Sequence, residues 1–285
     1  MTIKLEMIQN SRRNFLIYTT ANETNFLIDY INILKMCELN PGVAKVELVI
    51  VVSAVDAGSQ KSNIALEYIK RLLDVSEWLE LKGVFFKSNI GRDFSSAQYG
   101  LQVISNIASD EDVVMIRNRS AYGPFKSDWY ATYVDFFDSI KTFGLIGNTM
   151  NQSGHPKLEH AKNDITCHVQ TYLYLSVFGI LKKLIDDFPG VYESNRIQLI
   201  NKGELELSRK IMNEGFVIGC IYWPDSPFGK AIYNYPDLPQ GDIKNQILGL
   251  PFEHRYSEVK YFDNFLEWKW RWKKFSQFLR GLFYK

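Results

Sequence analysis

Residues 82–125, KGVFFKSNIGRDFSSAQYGLQVISNIASDEDVVMIRNRSAYGPF, decide the fold that we expect for this chain. In order, they contain an apolar segment at 83–86, a turn at 89–93, a helical pattern at 94–107, a second apolar segment at 113–116 and a polar loop at 117–120. This order predicts two adjacent strands of one sheet, joined by a helix. Because ligands of open α/β sheets bind outside the carboxyl ends of the strands, the turn and the loop should line one site.

The chain before this stretch continues the alternation of strands and helices. We expect a strand, a helix, a strand and a helix at 14–19, 25–38, 46–54 and 63–73. Such alternation predicts βαβ units, and hence an α/β fold with a Rossmann-type, mainly parallel sheet flanked by helices. The Gly-x-Gly-x-x-Gly fingerprint of dinucleotide binding is absent from the sequence, which argues against chemistry with NAD.

The second half of the chain is less regular. Its pattern predicts a helix at 129–139, a strand at 143–149 and a polar loop at 151–163. An apolar helix or helix pair at 167–184, a short helix at 204–214, a strand at 216–223 and a loop at 224–239 follow. We interpret 1–255 as one domain, with a ligand-binding half at 1–125 and a second half at 126–255. Residues 256–285 form a separate basic and aromatic segment.

Composition and cysteine usage limit the class of protein. A net charge of +1, with 46% hydrophobic and 23% charged residues, is typical of a soluble globular protein and gives no bias toward nucleic acid. The three cysteines, Cys37, Cys167 and Cys220, are far apart, which favours buried thiols in a reducing compartment over disulfides or a zinc knuckle. We see neither a signal peptide nor an apolar run long enough for a bilayer, so we expect a cytoplasmic protein.

The turn at 89–93 combines a glycine, a cation and a carboxylate at the start of a helix. Gly91 would let a ligand approach the backbone closely, and free helix-start amides together with Arg92 would favour a diphosphate. Asp93 would accept hydrogen bonds from a ribose hydroxyl or a base N–H. The alternative is that Asp93 only caps the helix, since Asp is a preferred N-cap residue.

Two arginines flank Asn118 in the loop at 117–120. Guanidinium groups neutralise phosphate directly, so Arg117 and Arg119 are candidates for stabilising a diphosphate leaving group. The alternative is that both pair with surface carboxylates nearby, at Asp110, Glu111 or Asp112.

A histidine and a glutamate are the candidate proton-transfer groups of the second half. His168 begins the apolar segment, where a histidine is either a structural residue or a catalyst. Glu204 begins a helix and would either complement the helix dipole or act as a general base toward a substrate hydroxyl, on one face with Ser208. His155 and His160 have poor spacing for metal ligands, so we predict no metal site there.

Taken together, four segments resemble the rhamnan synthesis protein F family of bacterial polysaccharide glycosyltransferases over roughly 82–222. They are Asn89-x-Gly91-Arg92-Asp93, Asn118-x-Ser120-x-x-Gly123-Pro124, His168-x-Gln170-Thr171-Tyr172 and Glu204-x-x-Leu207-Ser208. The resemblance implies a GT-A-like fold and an enzyme that transfers a sugar from a nucleotide-sugar donor. It also implies a lipid-linked cell-surface glycan of the O-antigen (lipopolysaccharide) or capsule type as acceptor. Rhamnose and galactofuranose are the favoured sugars.

The resemblance and the residue types together define the candidate site. The donor-binding candidates are Asn89, Gly91, Arg92, Asp93, Arg117, Asn118, Arg119, Ser120 and Gly123. The catalytic candidates are Asp93, His168 and Glu204, and the acceptor-binding candidates are Gln170 and Ser208.

Two positions depart from the family pattern, and one of them bears on metal use. Relatives carry a small or acidic residue in place of Arg119 and a glycine in place of Glu206. Many nucleotide-sugar transferases also hold a divalent metal with an Asp-x-Asp pair at the position of 117–119. Because arginine cannot ligate Mg²⁺ or Mn²⁺, we favour a metal-independent reaction with no required cofactor, with Mg²⁺ or Mn²⁺ as the alternative.

The carboxyl-terminal segment, 256–285, predicts an amphipathic helix on a membrane surface. From Lys269 onward it has six cations and no acidic residue. Its membrane-surface candidates are Trp268, Trp270, Trp272, Lys273, Lys274, Phe278 and Arg280. A basic helix with aromatic residues suits the interface of an anionic bilayer, here the inner face of the cytoplasmic membrane. The alternative is packing on the domain or on a second subunit in a homodimer.

Two other functions remain open from the sequence. The chain could be a non-catalytic sugar- or nucleotide-binding subunit of a polysaccharide-biosynthesis complex, because Arg119 would make the donor site degenerate. It could also be a membrane-associated scaffold organised by its carboxyl-terminal segment. Binding of nucleotide-sugars and turnover of the donor distinguish the three functions.

Overall fold

The computed structural model describes residues 12–22, 26–55, 60–151, 166–229 and 249–254. Within these ranges the strands are β1 Asn14–Ala21, β2 Val46–Ala54, β3 Leu79–Ser88, β4 Val113–Asn118, β5 Ala121–Tyr122, β6 Phe143–Gly147, β7 Met150–Asn151, β8 His168–Val169, β9 Leu173–Val177, β10 Val217–Cys220, β11 Trp223–Phe228 and β12 Glu253–His254. The α-helices are α1 Phe26–Glu38, α2 Gln60–Asp74, α3 Arg92–Ile104, α4 Ala131–Ser139, α5 Phe178–Lys182, α6 Arg196–Leu199 and α7 Glu206–Asn213. A 3₁₀ turn, Ile185–Asp187, and a π-helical segment, Ile200–Leu205, complete the described elements.

Eight strands form one sheet in the order β11-β10-β6-β9-β4-β1-β2-β3. β1 is parallel to β2 and β4, β2 is parallel to β3, and β6 is parallel to β10. Only β9 and β11 run against their neighbours in this sheet. The predicted α/β fold with a mainly parallel sheet flanked by helices is therefore confirmed. The prediction that the strands of 82–125 are adjacent is wrong, because β1 and β2 lie between β3 and β4.

Side chains of the central strands alternate between two buried layers. Ile17, Val51 and Ile116 belong to the layer that contains α3. Tyr18 and Met115 belong to the layer that contains α1 and α2. We call these two sides of the sheet the α3 face and the α1 face. Burial on both faces explains why β2 is almost continuously apolar.

The segment 167–184 departs most from its sequence-based prediction. We expected a helix or a helix pair, but the chain forms β8 and β9 and becomes helical only at Phe178. Leu173 and Leu175 of β9 are fully buried between β4 and β6. A short apolar run that is buried on both faces has no periodicity that separates a strand from a helix, which is the origin of the error.

The end of the chain is only partly described. Residues 224–228, which we expected to be loop, belong to the edge strand β11, where prolines are tolerated because an edge strand leaves some N–H positions unpaired. The predictions for 152–165, 230–248 and 255–285, including His155, His160 and the basic aromatic segment, lie outside the described residues. No helix in the described ranges has the length and apolar character needed to cross a bilayer.

Both predicted halves of the domain contribute strands to the same eight-stranded sheet. β1 to β4 come from 1–125, and β6, β9, β10 and β11 come from 126–255. The boundary between the halves and the separate segment at 256–285 stay predictions.

We predict that Leu101→Ala lowers the free energy of unfolding by about 2–5 kcal/mol, because truncation leaves a cavity under α3. Leu101 is fully buried there. Val75→Ala is the matched control, since Val75 is 83% exposed, and its effect should stay within about 0.5 kcal/mol. Urea unfolding followed by circular dichroism measures both changes. Equal effects of the two substitutions would contradict the packing of α3 against the sheet.

Candidate active site

The turns that follow β3 and β4 meet at the carboxyl edge of the sheet. The Asn118 side chain, at the end of β4, donates from Nδ2 to Oδ2 of Asp93 in the first turn of α3, at 2.8 Å. Its Oδ1 accepts from the backbone N–H of Ser120 at 2.8 Å, which fixes the amide orientation. The sequence-based expectation that both segments lie on one edge therefore holds, although two strands separate β3 from β4.

Gly91 serves the protein's own packing rather than the close approach of a ligand. It has a left-handed φ of 68°, and a Cβ atom there would lie 2.1 Å from the Val191 carbonyl oxygen. Its N–H donates to the Glu193 carbonyl, and the N–H of Arg92 donates to the Asn89 carbonyl. The expectation of free helix-start amides therefore fails at both positions. An anion at this turn would be bound by charged side chains instead.

Asp93 is not the helix cap that we considered as an alternative. Gly91 occupies the N-cap position of α3, and Asp93 lies in the first turn. Burial raises the pKa of the Asp93 carboxyl, and the negative charge of Glu204 raises it further, whereas the hydrogen bond from Asn118 opposes the shift. Glu204, which is distant in sequence, thus lies close enough for its charge to affect Asp93.

Glu204 is held in the π-helical segment that precedes α7. Its Oε1 accepts from the Thr171 hydroxyl at 3.2 Å, and its Oε2 lies 3.5 Å from Nε2 of His168. A quarter of the Glu204 side chain, 25%, is exposed. It is therefore an oriented carboxylate that a ligand can reach.

His168 lies beside Glu204 in a buried position. Its Nδ1 lies 2.6 Å from the Thr166 carbonyl oxygen, which can only accept, so Nδ1 carries a proton and Nε2 faces Glu204. The side chain is 1% exposed. The arrangement suits a positioning residue better than the catalytic role that we expected for His168.

The two acceptor-binding candidates differ in accessibility. Ser208 is fully buried and accepts a hydrogen bond from the Val169 N–H at 3.1 Å, so the expectation that it binds a ligand is wrong. Gln170 is only partly buried and accepts from the Thr149 hydroxyl at 2.6 Å. Gln170 therefore stays an acceptor-binding candidate by its accessibility, while Ser208 fastens β8 to α7.

Strand alternation separates the polar residues at the end of β4. Asn118 lies on the α3 face with Asp93, whereas Arg117 and Arg119 lie on the α1 face. A single ligand on the α3 face cannot contact all three side chains. The sequence-based interpretation of 117–120 as one phosphate-binding segment is therefore wrong.

Arg117 is a structural residue of the α1 face. Its guanidinium is fully buried between the rings of Tyr18 and Phe252, at 5.1 and 4.6 Å from their centroids. Nη2 donates to the Ala121 carbonyl at 2.5 Å. Burial lowers the pKa of Arg117 to about 10. The expectation that Arg117 binds a donor is wrong because no ligand can reach it.

Arg119 forms a buried network with Asp29 of α1. Its Nη2 lies 2.8 Å from Oδ2 of Asp29 and donates to the Thr20 hydroxyl at 2.7 Å. Tyr18 and Thr20 both donate to the other oxygen of Asp29. Burial raises the pKa of Asp29, and the positive charge of Arg119 opposes that rise.

Of the alternative partners that we considered for the arginines, Asp110 and Asp112 have carboxylates that are engaged elsewhere, whereas Glu111 makes its contact, within the described residues, through its backbone. Asp110 pairs with Lys182, Asp112 accepts from two backbone N–H groups, and the Glu111 carbonyl accepts from Arg12.

The remaining donor-binding candidates have distinct surroundings. Asn89 and Arg92 are exposed, and Arg92 has a positive φ of 47°. Ser120 is partly buried, beside Asn118. Gly123 is buried, and a Cβ atom there would lie 2.7 Å from the Pro251 carbonyl oxygen. Its lack of a side chain thus accommodates residues 249–254, and its expected contact with a donor is not supported.

Sequence reasoning missed two charged residues of this edge. Asp29 lies in the middle of an apolar helix pattern, where a lone carboxylate signals a buried partner. Lys87 follows Phe85 by two positions on β3, so strand alternation alone places it on the α3 face. The described residues contain no group of three or more His, Cys, Asp or Glu side chains arranged to hold a metal ion.

Among the known proteins compared with this chain, only solved structures are similar to it. No protein-family model and no curated protein match this chain. It is similar to the mannosyltransferase PcManGT from Pyrobaculum calidifontis in complex with GDP-Man and Mn²⁺, at 13% identity and a TM-score of 0.48, over 74% of this chain and 55% of that one. It is also similar to the apo structure of the bifunctional glycosyltransferase WbbM, at 13% identity and a TM-score of 0.43, over 77% of this chain and 40% of that one.

A third similar structure is a 4-diphosphocytidyl-2C-methyl-D-erythritol synthase. The identity is 12% and the TM-score 0.41, over 73% of this chain and 88% of that one. The chain thus spans about half the length of the mannosyltransferase and two fifths of WbbM. At such identities, the chemistry of the site has to be inferred from this chain's own residues.

We predict that Asp93→Asn makes the protein more stable than wild type as the pH rises from about 4, the ordinary pKa of Asp, toward neutrality. The folded protein binds the Asp93 proton more tightly than the unfolded chain does, because burial and Glu204 raise this pKa. Stability that Asp93 contributes at low pH is therefore lost as the pH rises through the folded pKa, and the asparagine variant lacks this loss.

Urea unfolding of both proteins between pH 4 and pH 8 measures the difference. The asparagine Oδ1 can still accept from Asn118, so the hydrogen bond is retained. A stability difference that is constant with pH would contradict the raised pKa.

Proposed function

We propose that this protein is a glycosyltransferase with a GT-A-like fold that transfers a sugar from a nucleotide-sugar donor. The observation that carries the proposal is the meeting of Asp93, Asn118 and Glu204 at one edge of the sheet, with a 2.8 Å bond between the first two. The carboxyl edge of a mainly parallel sheet is where α/β proteins bind their ligands. Three of the four sequence segments that resemble the rhamnan synthesis protein F family supply these three residues.

Asp93 and Asn118 form the donor side of the proposed site. The Asp93 carboxylate accepts hydrogen bonds from hydroxyl groups of the ribose or of the donor sugar. Asn118 keeps one oxygen of this carboxylate in place and leaves the other available. Carboxylates that accept from neighbouring hydroxyls are suited to sugars, because two oxygens can serve two hydroxyl groups.

Glu204 is the proposed general base. It removes the proton of the acceptor hydroxyl while that oxygen bonds to the anomeric carbon of the donor sugar. The bond from this carbon to the diphosphate breaks, and the nucleoside diphosphate leaves with the bonding electrons. The Thr171 hydroxyl holds Glu204 in position for this proton transfer, and His168 lies beside it.

The residues of this chain depart from the Asp-x-Asp pattern with which many nucleotide-sugar transferases bind a divalent metal. At 117–119 the two carboxylates of such a pair are replaced by arginines, whose guanidinium groups are on the α1 face and engaged in internal contacts. The residues therefore do not fit a metal held by an Asp-x-Asp pair. We propose that transfer proceeds without a required metal, with charged side chains neutralising the diphosphate.

The finer parts of the proposal rest on the resemblance and on composition. Rhamnose or galactofuranose is the proposed sugar, and a lipid-linked polysaccharide of the O-antigen or capsule type is the proposed acceptor. The six cations of 269–285, without an acidic residue, support attachment to the inner face of the cytoplasmic membrane. A protein held there meets an acceptor whose lipid is embedded in that membrane.

We predict that Glu204→Gln lowers kcat about 10²- to 10⁴-fold, the contribution of a general base, while donor affinity changes little. The matched control is Glu206→Gln two positions later, because Glu206 is 40% exposed and lies near Arg209 instead of the site. Transfer is measured with UDP-, GDP- and dTDP-sugars, including GDP-Man, which accompanies the similar mannosyltransferase. Reactions with EDTA and with Mn²⁺ test the metal proposal.

The outcomes separate the proposed functions. Loss of activity in EDTA that Mn²⁺ restores would refute the metal-independent reaction. Donor binding without turnover in wild type would favour a non-catalytic binding subunit, for which the engagement of Arg119 by Asp29 is the supporting observation. No binding of any nucleotide-sugar would contradict both functions and favour a scaffold.

We predict that the full-length protein floats with anionic liposomes, whereas a 1–260 truncation stays in the dense fraction. The removed part contains the six cations of 269–285, and each basic residue near an anionic surface contributes on the order of 1 kcal/mol. Neutral liposomes serve as the control and should capture less protein. Equal flotation of the two proteins would refute the role of this segment.

A further inference from the structure

The diphosphate of a donor needs cations on the α3 face, where Asp93 and Asn118 lie. Arg117 and Arg119 cannot supply them, because both guanidinium groups lie on the α1 face. Within the described residues, the cations near Asp93 are Arg92, which is exposed in the same turn, and Lys87, at the end of β3. We therefore consider what Lys87 contacts.

The Lys87 ammonium points into the edge formed by β2, β3 and the turn before α3. Nζ donates to the Ser53 hydroxyl at 3.2 Å, to the Ser88 carbonyl at 2.5 Å and to the Ile90 carbonyl at 3.3 Å. The Ser53 hydroxyl in turn lies 3.1 Å from that of Ser96 on α3. Every one of these partners of Lys87 is a neutral oxygen.

Lys87 is therefore a half-buried cation without a carboxylate in direct contact, as far as the described residues extend. Burial lowers the pKa of Lys87 to about 8, and the negative charge of Asp93 on α3 opposes that shift. The group that faces it from β2, Ser53, is neutral, and so are the turn carbonyls. A bound anion would restore the charged form that burial disfavours.

A polar side chain on β1, on the same face, has no hydrogen-bond partner in the described residues. The Thr19 hydroxyl on β1 is buried, at 2% exposure, and makes no hydrogen bond within the described part of the chain. Thr19 is directly opposite Asn118 in the β1–β4 register. A buried hydroxyl is costly without a partner, so the end of β1 beside Asn118 is a polar position whose hydrogen bonding is incomplete.

We propose that Lys87 is a donor-binding residue that neutralises the diphosphate of the nucleotide-sugar on the α3 face of the sheet. This inference rests on the proposed function. It assigns to Lys87 the neutralisation of the diphosphate that we had expected of Arg117 and Arg119. The diphosphate oxygens replace a neutral carbonyl as the partner of one ammonium proton. Arg92, at the exposed end of the same turn, faces the solvent side of the bound group.

A purely structural role for Lys87 makes a different prediction. If Lys87 only ties the carbonyls of Ser88 and Ile90 together, its loss displaces the turn that carries Asp93. Binding of the nucleoside part, which needs Asp93, would then weaken together with binding of the diphosphate. A direct contact with the diphosphate affects only ligands that contain phosphate.

The test compares Lys87→Met and Lys87→Arg with wild type by isothermal titration calorimetry. The ligands are inorganic pyrophosphate, the nucleoside diphosphates UDP, GDP and dTDP, and the corresponding nucleosides. Lys70→Met is the matched control, because Lys70 is a lysine of α2 that pairs with Glu67. Thermal unfolding of each variant verifies that the protein is folded.

The expected result is a loss of affinity for pyrophosphate and for the bound nucleoside diphosphate of about 10- to 100-fold in Lys87→Met, the size of a hydrogen bond to a charged group. Affinity for the nucleoside and all affinities of Lys70→Met should not change. Lys87→Arg should restore most of the affinity. Unchanged pyrophosphate affinity in Lys87→Met, or an equal loss for nucleoside and nucleoside diphosphate, would overturn the inference.

The pH dependence provides an independent readout. Wild-type affinity for pyrophosphate should fall above pH 8, as free Lys87 loses its proton, whereas Lys87→Arg should keep its affinity because arginine stays charged. Lys87→Arg keeps every other ionisable group of the site, so a pH dependence that persists in this variant belongs to another group. A wild-type profile that stays flat through pH 9 would contradict the role of Lys87.

Donor kinetics separate this inference from the proposed function. Sugar transfer by wild type with an unchanged donor KM in Lys87→Met would refute the role of Lys87 and leave the glycosyltransferase in place. Pyrophosphate binding through Lys87 without transfer of any sugar would refute the glycosyltransferase and leave the anion site in place. Absence of both pyrophosphate binding and sugar transfer in wild type would overturn the role of Lys87 and the proposed glycosyltransferase function.

Discussion

The hydrogen bond from Asn118 to Asp93 joins two turns that come from strands on either side of β1 and β2. Because the bond spans the carboxyl edge, it fixes the spacing between the end of β4 and the start of α3. It also holds one oxygen of the Asp93 carboxylate, whose pKa is raised by burial and by the charge of Glu204. Glu204 is in turn oriented by the hydroxyl of Thr171.

The alternation of side chains along β1 and β4 then determines which charges can serve a ligand. Arg117 and Arg119 are both on the α1 face, where buried rings and Asp29 hold them. Their contacts tie α1, β4 and residues 249–254 together beneath the site. The α3 face keeps Asn118, Asp93 and Lys87. The two arginines that flank Asn118 in a sequence motif thus stabilise the scaffold, and a lysine 30 residues before Arg117 is the cation near the proposed ligand.

The sequence predicts the βαβ alternation and the meeting of the two turns, because strand and helix periodicities are local properties. It does not predict that β1 and β2 separate β3 from β4, since strand order depends on contacts between distant segments. Gly91 and Gly123 were expected near a ligand, but the backbones of Val191 and Pro251 approach them instead. Such approaches involve segments remote in sequence. The helix expected at 167–184 failed because a doubly buried strand has no amphipathic period.

A crystal structure of the protein with a bound nucleoside diphosphate is the most direct test of the central claim. The account predicts the diphosphate on the α3 face, between the turns that follow β3 and β4, within hydrogen-bonding distance of Lys87 and beside Asp93. A diphosphate bound on the α1 face near Arg119, or away from the carboxyl edge of the sheet, would contradict it.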